Sequence, residues 1–377
     1  MLGVEQVPGV RKFLENPAYT GFWSHQAVDK WFEKRPVTIP TMIEVGQWDQ
    51  EDSYGGPAVY RAMEANDKDN KLVSLHIGPW RHSGANHYGY DLGALTFTGD
   101  TAREWRVNYV KPFFDHFLKG GPDPKTPPVL TYATGINQWQ RSEKWPMGTA
   151  KPVYLAADGV ASFEKPKTAG KEDYISDPAK PVPFIPRPID MGDADQWKPW
   201  LIRDQRFVSE RPDVASWKSA PLEKAVHIMG APEVELFAST SGTDADWVVK
   251  LIDVYPNDMP EPSNQGAKPG MHGYELPIGI EIFRGRYLKS FAQPSPLKPG
   301  KVERFKWKLP DVNHVFLPGH RIMVQVQSSL FPLYDRNPQT YVENIMLAKK
   351  GDYRKATQSV WFGGANASSV VLPSVSD

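Results

Sequence analysis

Along GFWSHQAVDKWFEK (21–34) the apolar residues Phe22, Trp23, Ala27, Val28, Trp31 and Phe32 recur at three- and four-residue offsets, which predicts an amphipathic helix. The run VTIPTMIEVG after Arg35-Pro36 is apolar and bounded by Pro and Gly, the pattern of a buried strand with Pro40 near its start. A further helix begins near Pro57, a residue suited to a first turn, with AVYRAMEAN as its body. KLVSLHIG predicts a second strand and GPWRHSGANHYG the loop after it. DTAREWRVNYVKPFFDHFLKG then predicts a long helix, capped by Asp100 or Thr101, kinked at Pro112 and stopped at Gly120-Gly121. Helices alternating with strands over short joins imply parallel strands with covering helices.

Near Pro122 the pattern changes. From VLTYAT (129–134) onward the apolar runs are short and strand-like: VYLAAD, APEVELFAST, DWVVKLIDVYP, GIEIFRGRYLKSF, VERFKWKLP, RIMVQVQSS and SVWFGG. Turn-rich segments separate them, the longest spanning 163–200. Many short strands without intervening helices indicate a β-sandwich, read as a jelly roll. The expected fold class is α/β plus all-β, with an α/β domain over 1–122 and a jelly-roll sandwich over 123–377.

Composition agrees with two domains, because 377 residues are many for one core. The 13 Trp, 15 Tyr, 17 Phe and 36 Pro suit a loop-rich β architecture. With 44 basic and 44 acidic residues the chain offers no electrostatic footprint for nucleic acid or an anionic membrane, so the expected partner is a small, roughly neutral molecule. The absence of cysteine excludes thiol catalysis, disulfides and thiolate metal sites. No stretch approaches the roughly 20 apolar residues of a membrane span. The first residues lack the apolar core of a signal peptide, so localisation, whether cytoplasmic, periplasmic or secreted, stays open. No cofactor is expected.

Catalytic groups of open α/β sheets sit on loops at the carboxyl ends of parallel strands. Two such loops are WDQED and GPWRH. Asp49, the first acid past its strand, is the candidate that orients an imidazole, and His82 is the candidate general base. The plain alternative makes Asp49 a helix cap and His82 an ordinary loop histidine. Glu51 and Asp52 read as acids favourable at a helix start, or as contacts to a cationic substrate group, with Trp48 a further substrate contact. His87 lacks the spacing and the third ligand of a metal site, so none is expected. Trp139 and Trp247 read as packing residues, and Asp244 and Asp246 as holding a loop through hydrogen bonds to backbone. A hydrolase serine sits on a G-x-S-x-G turn, yet no serine here has Gly two positions before it. The order Ser, acid, His also needs the nucleophile before Asp49, where no strand is predicted.

NPAYTGFWSHQAVDK, TIPTMIEVGQWDQEDSYGG, LHIGPWRHSG, TSGTDADWVVKLIDVYP, GIEIFRGRYLKSF and LPGHRIMVQVQSSLFPLYDRNP together resemble the α-amino-acid ester hydrolases and glutaryl-cephalosporin acylases of the cocaine-esterase and X-Pro dipeptidyl-peptidase superfamily. The resemblance implies a serine ester or amide hydrolase in which Asp49 and His82 are the triad acid and base. It also implies that the chain is the C-terminal portion of such an enzyme: the end of an α/β-hydrolase domain, with 1–33 as the tail of a helical cap, followed by the jelly roll. The nucleophile and part of the oxyanion hole then lie in an absent N-terminal segment or chain. The partners so implied are a small ester or amide substrate, that missing segment and, through an exposed sheet edge, further copies of the chain. Two rival readings are a non-catalytic jelly-roll binding or assembly module and one chain of a split hydrolase.

Overall fold

The computed structural model describes residues 6–190, 192–193, 198–259 and 270–375. Its first sheet contains the parallel strands Thr41–Gly46, Val73–Gly78 and Val129–Ala133, with Gln138–Ser142 antiparallel at the far edge. Helix Gly55–Glu64 connects the first two strands. Its Tyr60 and Met63 pack on Val45, Val73, Leu75 and Ile77, the apolar cluster that holds helix to sheet.

The helix predicted from residue 100 onward is present in three parts, Thr101–Trp105, a wide π-type turn Arg106–Val110, and Lys111–Lys119. The Asp100 carboxylate caps it by accepting from Arg103 N at 3.0 Å, and Gly120 ends it at φ 69°. Pro112 has no N–H to donate, and the wide turn just before it absorbs the interruption. The helix expected over 21–34 is instead two short ones, Gly21–Ser24 and Val28–Phe32, divided at Ala27, whose backbone is extended. None of their residues is buried, and helices this short hold together only where packing supports them.

The parallel sheet does not stop at residue 122. The Pro-rich segment 122–128 runs back along it, and Val129–Ala133 joins as a third parallel strand, Leu75 N donating to Pro128 O at 2.9 Å. After Ser142 the structure is a sandwich. A four-stranded antiparallel sheet (Val214–Lys218, Arg321–Gln327, Asp246–Val254, Glu275–Arg284) faces a nine-stranded one across a core that includes Trp217, Trp247, Leu251, Phe305 and Phe316. The outer face of the four-stranded sheet is covered in turn, Phe184, Ile185 and Trp200 packing against Val248 and Ile280.

Trp247 is fully buried in that core, and Trp139 stands edge-on to Trp80 and Tyr132. Asp244 accepts from the backbone of Ala245, as expected, but also from the buried Arg286 guanidinium at 2.9 Å, while Asp246 accepts from Asn337 at 2.9 Å. Polar contacts tie sheet to sandwich. Asn313 donates through its amide to Thr131 and through its backbone to Gln47, and Asp311 accepts from Arg61 (2.9 Å) and Trp145 (2.8 Å). Among the described residues no helix is long and apolar enough to cross a membrane.

Candidate active site

Gly46 and Gly78 are paired at the carboxyl ends of adjacent parallel strands, so the loops that follow leave the sheet at the same level. A Cβ on Gly46 would stand 2.3 Å from the Trp80 carbonyl oxygen; only glycine lets the loops approach this closely. Trp48 N then donates to Trp80 O at 3.0 Å, and His82 N to the Gln50 side chain at 3.3 Å. Trp80 is itself fixed, its indole donating to Thr101 at 2.9 Å and its ring lying against Trp105 and Trp139.

This clamp brings together the residues that the sequence singles out. Asp49 is 4 % exposed, and its Oδ1 stands 3.3 Å from His82 Nδ1. The same oxygen accepts from Glu51 N and Asp52 N at 2.8 Å each, so Asp49 holds the turn that follows it and faces the imidazole at once, whereas the helix Gly55–Glu64 has no side-chain cap. His82 is part-exposed. Its Nε2 makes no hydrogen bond among the described residues, and Glu51 Oε2 lies 3.7 Å away. Asp52 Oδ2 is 3.4 Å from Nδ1.

Glu51 and Asp52 do not serve a helix start. Helix Gly55–Glu64 has no acid in its first turn, and both carboxylates, about three-fifths exposed, rim His82 instead. Trp48 is buried, its indole donating to Pro277 O of the sandwich at 3.1 Å. It also lines a cavity of about 320 Å³ shared by the acid loop and by Trp200, Ile280 and Tyr334 of the sandwich. His87 is exposed and apart from this group. Asp49, Asp52 and His82 are the one set of His and acid atoms close enough, among the described residues, to suggest a metal. The Asp49 oxygen that faces His82 is already engaged by two backbone donors. Gln50 and Trp80, which join and brace the loops, escape sequence reasoning, although both lie within the two motifs.

Residues 124–371 match the family model of the X-Pro dipeptidyl-peptidase C-terminal non-catalytic domain, and residues 5–84 that of the X-Pro dipeptidyl-peptidase S15 family. Cocaine esterase of Rhodococcus sp. (strain MB1 Bresler) is 31% identical over 320 residues, 81% of this chain and 51% of its own length. Among solved structures, an α-amino acid ester hydrolase is 52% identical with a TM-score of 0.95, and an aminopeptidase from the marine sediment archaeon Thaumarchaeota archaeon is 44% identical with a TM-score of 0.94. Each covers 99% of this chain, which in turn spans 61% of theirs. The chain thus extends over about half the length of the curated relative and three-fifths of the solved ones. On these matches, and on the two loops that carry Asp49 and His82, the chain belongs to the cocaine-esterase and X-Pro dipeptidyl-peptidase superfamily.

Proposed function

We propose that this chain is the acid-and-base portion of a serine hydrolase that cleaves ester or amide bonds through an acyl-enzyme. The observation that carries the proposal is the pair Asp49 Oδ1 and His82 Nδ1, 3.3 Å apart on neighbouring strand ends, with Nε2 making no hydrogen bond among the described residues. Asp49 orients the imidazole and stabilises its charged form. His82 Nε2 takes the proton of the attacking serine hydroxyl and returns it to the leaving alcohol or amine; after acyl transfer it activates the water that releases the acid. The attacking serine in this reading belongs to polypeptide outside these 377 residues, in the same protein or in a partner chain. In this reading the parallel strands belong to an α/β-hydrolase sheet, and the sandwich is a jelly roll that walls the substrate cavity through Trp200 and Tyr334.

Glu51 and Asp52 make the rim of the site anionic, which favours an acyl group that carries an ammonium near the scissile bond. The named α-amino acid ester hydrolase and aminopeptidase relatives support that substrate class. The test compares phenylalanine methyl ester with its deaminated analogue, 3-phenylpropanoate methyl ester. With the serine-bearing polypeptide present, turnover is expected to favour the amino ester, to depend on Asp49 and His82, and to be stopped by a serine-reactive phosphonate. Turnover by the isolated chain that survives the phosphonate would sink the proposal.

A further inference from the structure

A second cavity, of about 600 Å³, opens on the outer face of the four-stranded sheet, away from Asp49 and His82. Glu275 lines it. The residue is 4 % exposed, and its Oε2 is buried with no hydrogen-bond partner among the described residues. Its Oε1 has only a long contact, 3.5 Å from Lys218 Nζ. Burial raises the Glu275 carboxyl above its ordinary value, and nearby Lys218 and Ser209 only partly offset this.

The cavity holds unmatched groups of both signs. Arg321, on its wall, donates to the Ser219 carbonyl at 2.9 Å and has no carboxylate partner among the described residues. Ser216, also on the wall, has its Oγ buried without a hydrogen-bond partner among the described residues. Buried polar groups are normally matched. Unmatched ones at a single cavity therefore point to a polar ligand. Beside them Val254 and Met323 supply an apolar wall.

We propose that this cavity binds a free α-amino acid with a large apolar side chain: its ammonium on Glu275, its carboxylate on Lys218 and Arg321, its side chain against Val254 and Met323. The 3.5 Å between Lys218 Nζ and Glu275 Oε1 sets the charge spacing. A molecule with ammonium and carboxylate on one carbon fits it, whereas a peptide, with its charges at opposite ends, does not. The inference is independent of the hydrolytic reading, since no residue is shared with the Asp49 and His82 loops.

The test uses the 377-residue chain labelled with [methyl-13C]methionine, the Met323 signal being assigned with Met323→Leu. L-Phenylalanine is expected to shift that signal saturably, and to do so equally in His82→Gln. Phenethylamine and 3-phenylpropanoate each carry half of the charge pair and are expected to bind at least about tenfold more weakly. Glu275→Gln and Arg321→Met are each expected to weaken L-phenylalanine by about tenfold or more, the scale of one charge-assisted hydrogen bond. No saturable shift overturns the proposal. So do equal affinities for the three probes, and so does unchanged affinity in both variants. Should the variants fail to fold, the probe comparison on the unaltered chain still decides.

Discussion

Asp49 performs two tasks with one oxygen, accepting from two backbone N–H groups and facing His82 Nδ1. The tasks separate by mutation. Asp49→Asn keeps an acceptor for the turn but loses the charge that supports an imidazolium, so turnover of the serine-complemented protein is expected to fall by about 10⁴ with little change in the denaturant midpoint of the chain. Asp49→Ala loses the turn as well, and urea unfolding is expected to show a further loss of about 1 kcal/mol. Equal stability of the two variants would show that the backbone bonds contribute nothing. Both candidate residues are legible in the sequence because each stands a few positions past an apolar run. Glu51 and Asp52 are legible only as acids. Whether they face a helix end or an imidazole depends on where the next loop arrives, 30 residues on.

At the scale of elements, the site depends on two strands ending together. Gly46 admits the Trp80 carbonyl, and Gly78 admits the Trp80 ring, 2.4 Å from where a Cβ would stand. A methyl at Gly46 meets backbone, which cannot rotate away, so Gly46→Ala is expected to cost about 2–3 kcal/mol and to push the His82 loop off Asp49. Denaturation and the His82 imidazole NMR signal would check this; an unchanged signal would mean that the loops are not clamped here. Strands, loops and the capped long helix follow from local pattern. The break at Ala27 does not, because a periodic apolar face specifies a helix only where the core covers it, and here Phe32 packs on the core only partly buried.

For the whole molecule, the expected consequence is acid sensitivity. His76 lies at the centre of the parallel sheet, its Nδ1 accepting from Trp105 at 2.8 Å and its Nε2 buried without a hydrogen-bond partner among the described residues. Burial pushes it down from 6.5 to about 3. Between those values the unfolded chain holds a proton that the folded one refuses, so stability is lost as pH falls from 6.5 toward 3, by up to about 1.4 kcal/mol per pH unit. Asp253 acts lower on the scale. Burial alone would raise it, but hydrogen bonds from His314 and His320, at 3.1 and 2.9 Å, outweigh burial and hold it below its ordinary 3.8. Its contribution is present above that value and is lost below it. Urea unfolding at pH 7 and 4.5 is expected to show a smaller difference in His76→Gln, which keeps an acceptor for Trp105, by about 2–3 kcal/mol. An unchanged difference would mean that His76 is protonated in the fold.

By itself the sequence determined the alternation of helices and strands up to Gly120, the short strands that dominate the later chain and the two loops that carry Asp49 and His82. Each of these follows from short-range spacing and turn chemistry. Tertiary structure alone decided that Val129–Ala133 extends the parallel sheet, that the Glu51 and Asp52 carboxylates surround His82, and that Glu275 faces a cavity with an unmatched oxygen. Those outcomes depend on pairing between segments tens to hundreds of residues apart, whose free energy comes from burial and hydrogen bonds that no local window of sequence contains.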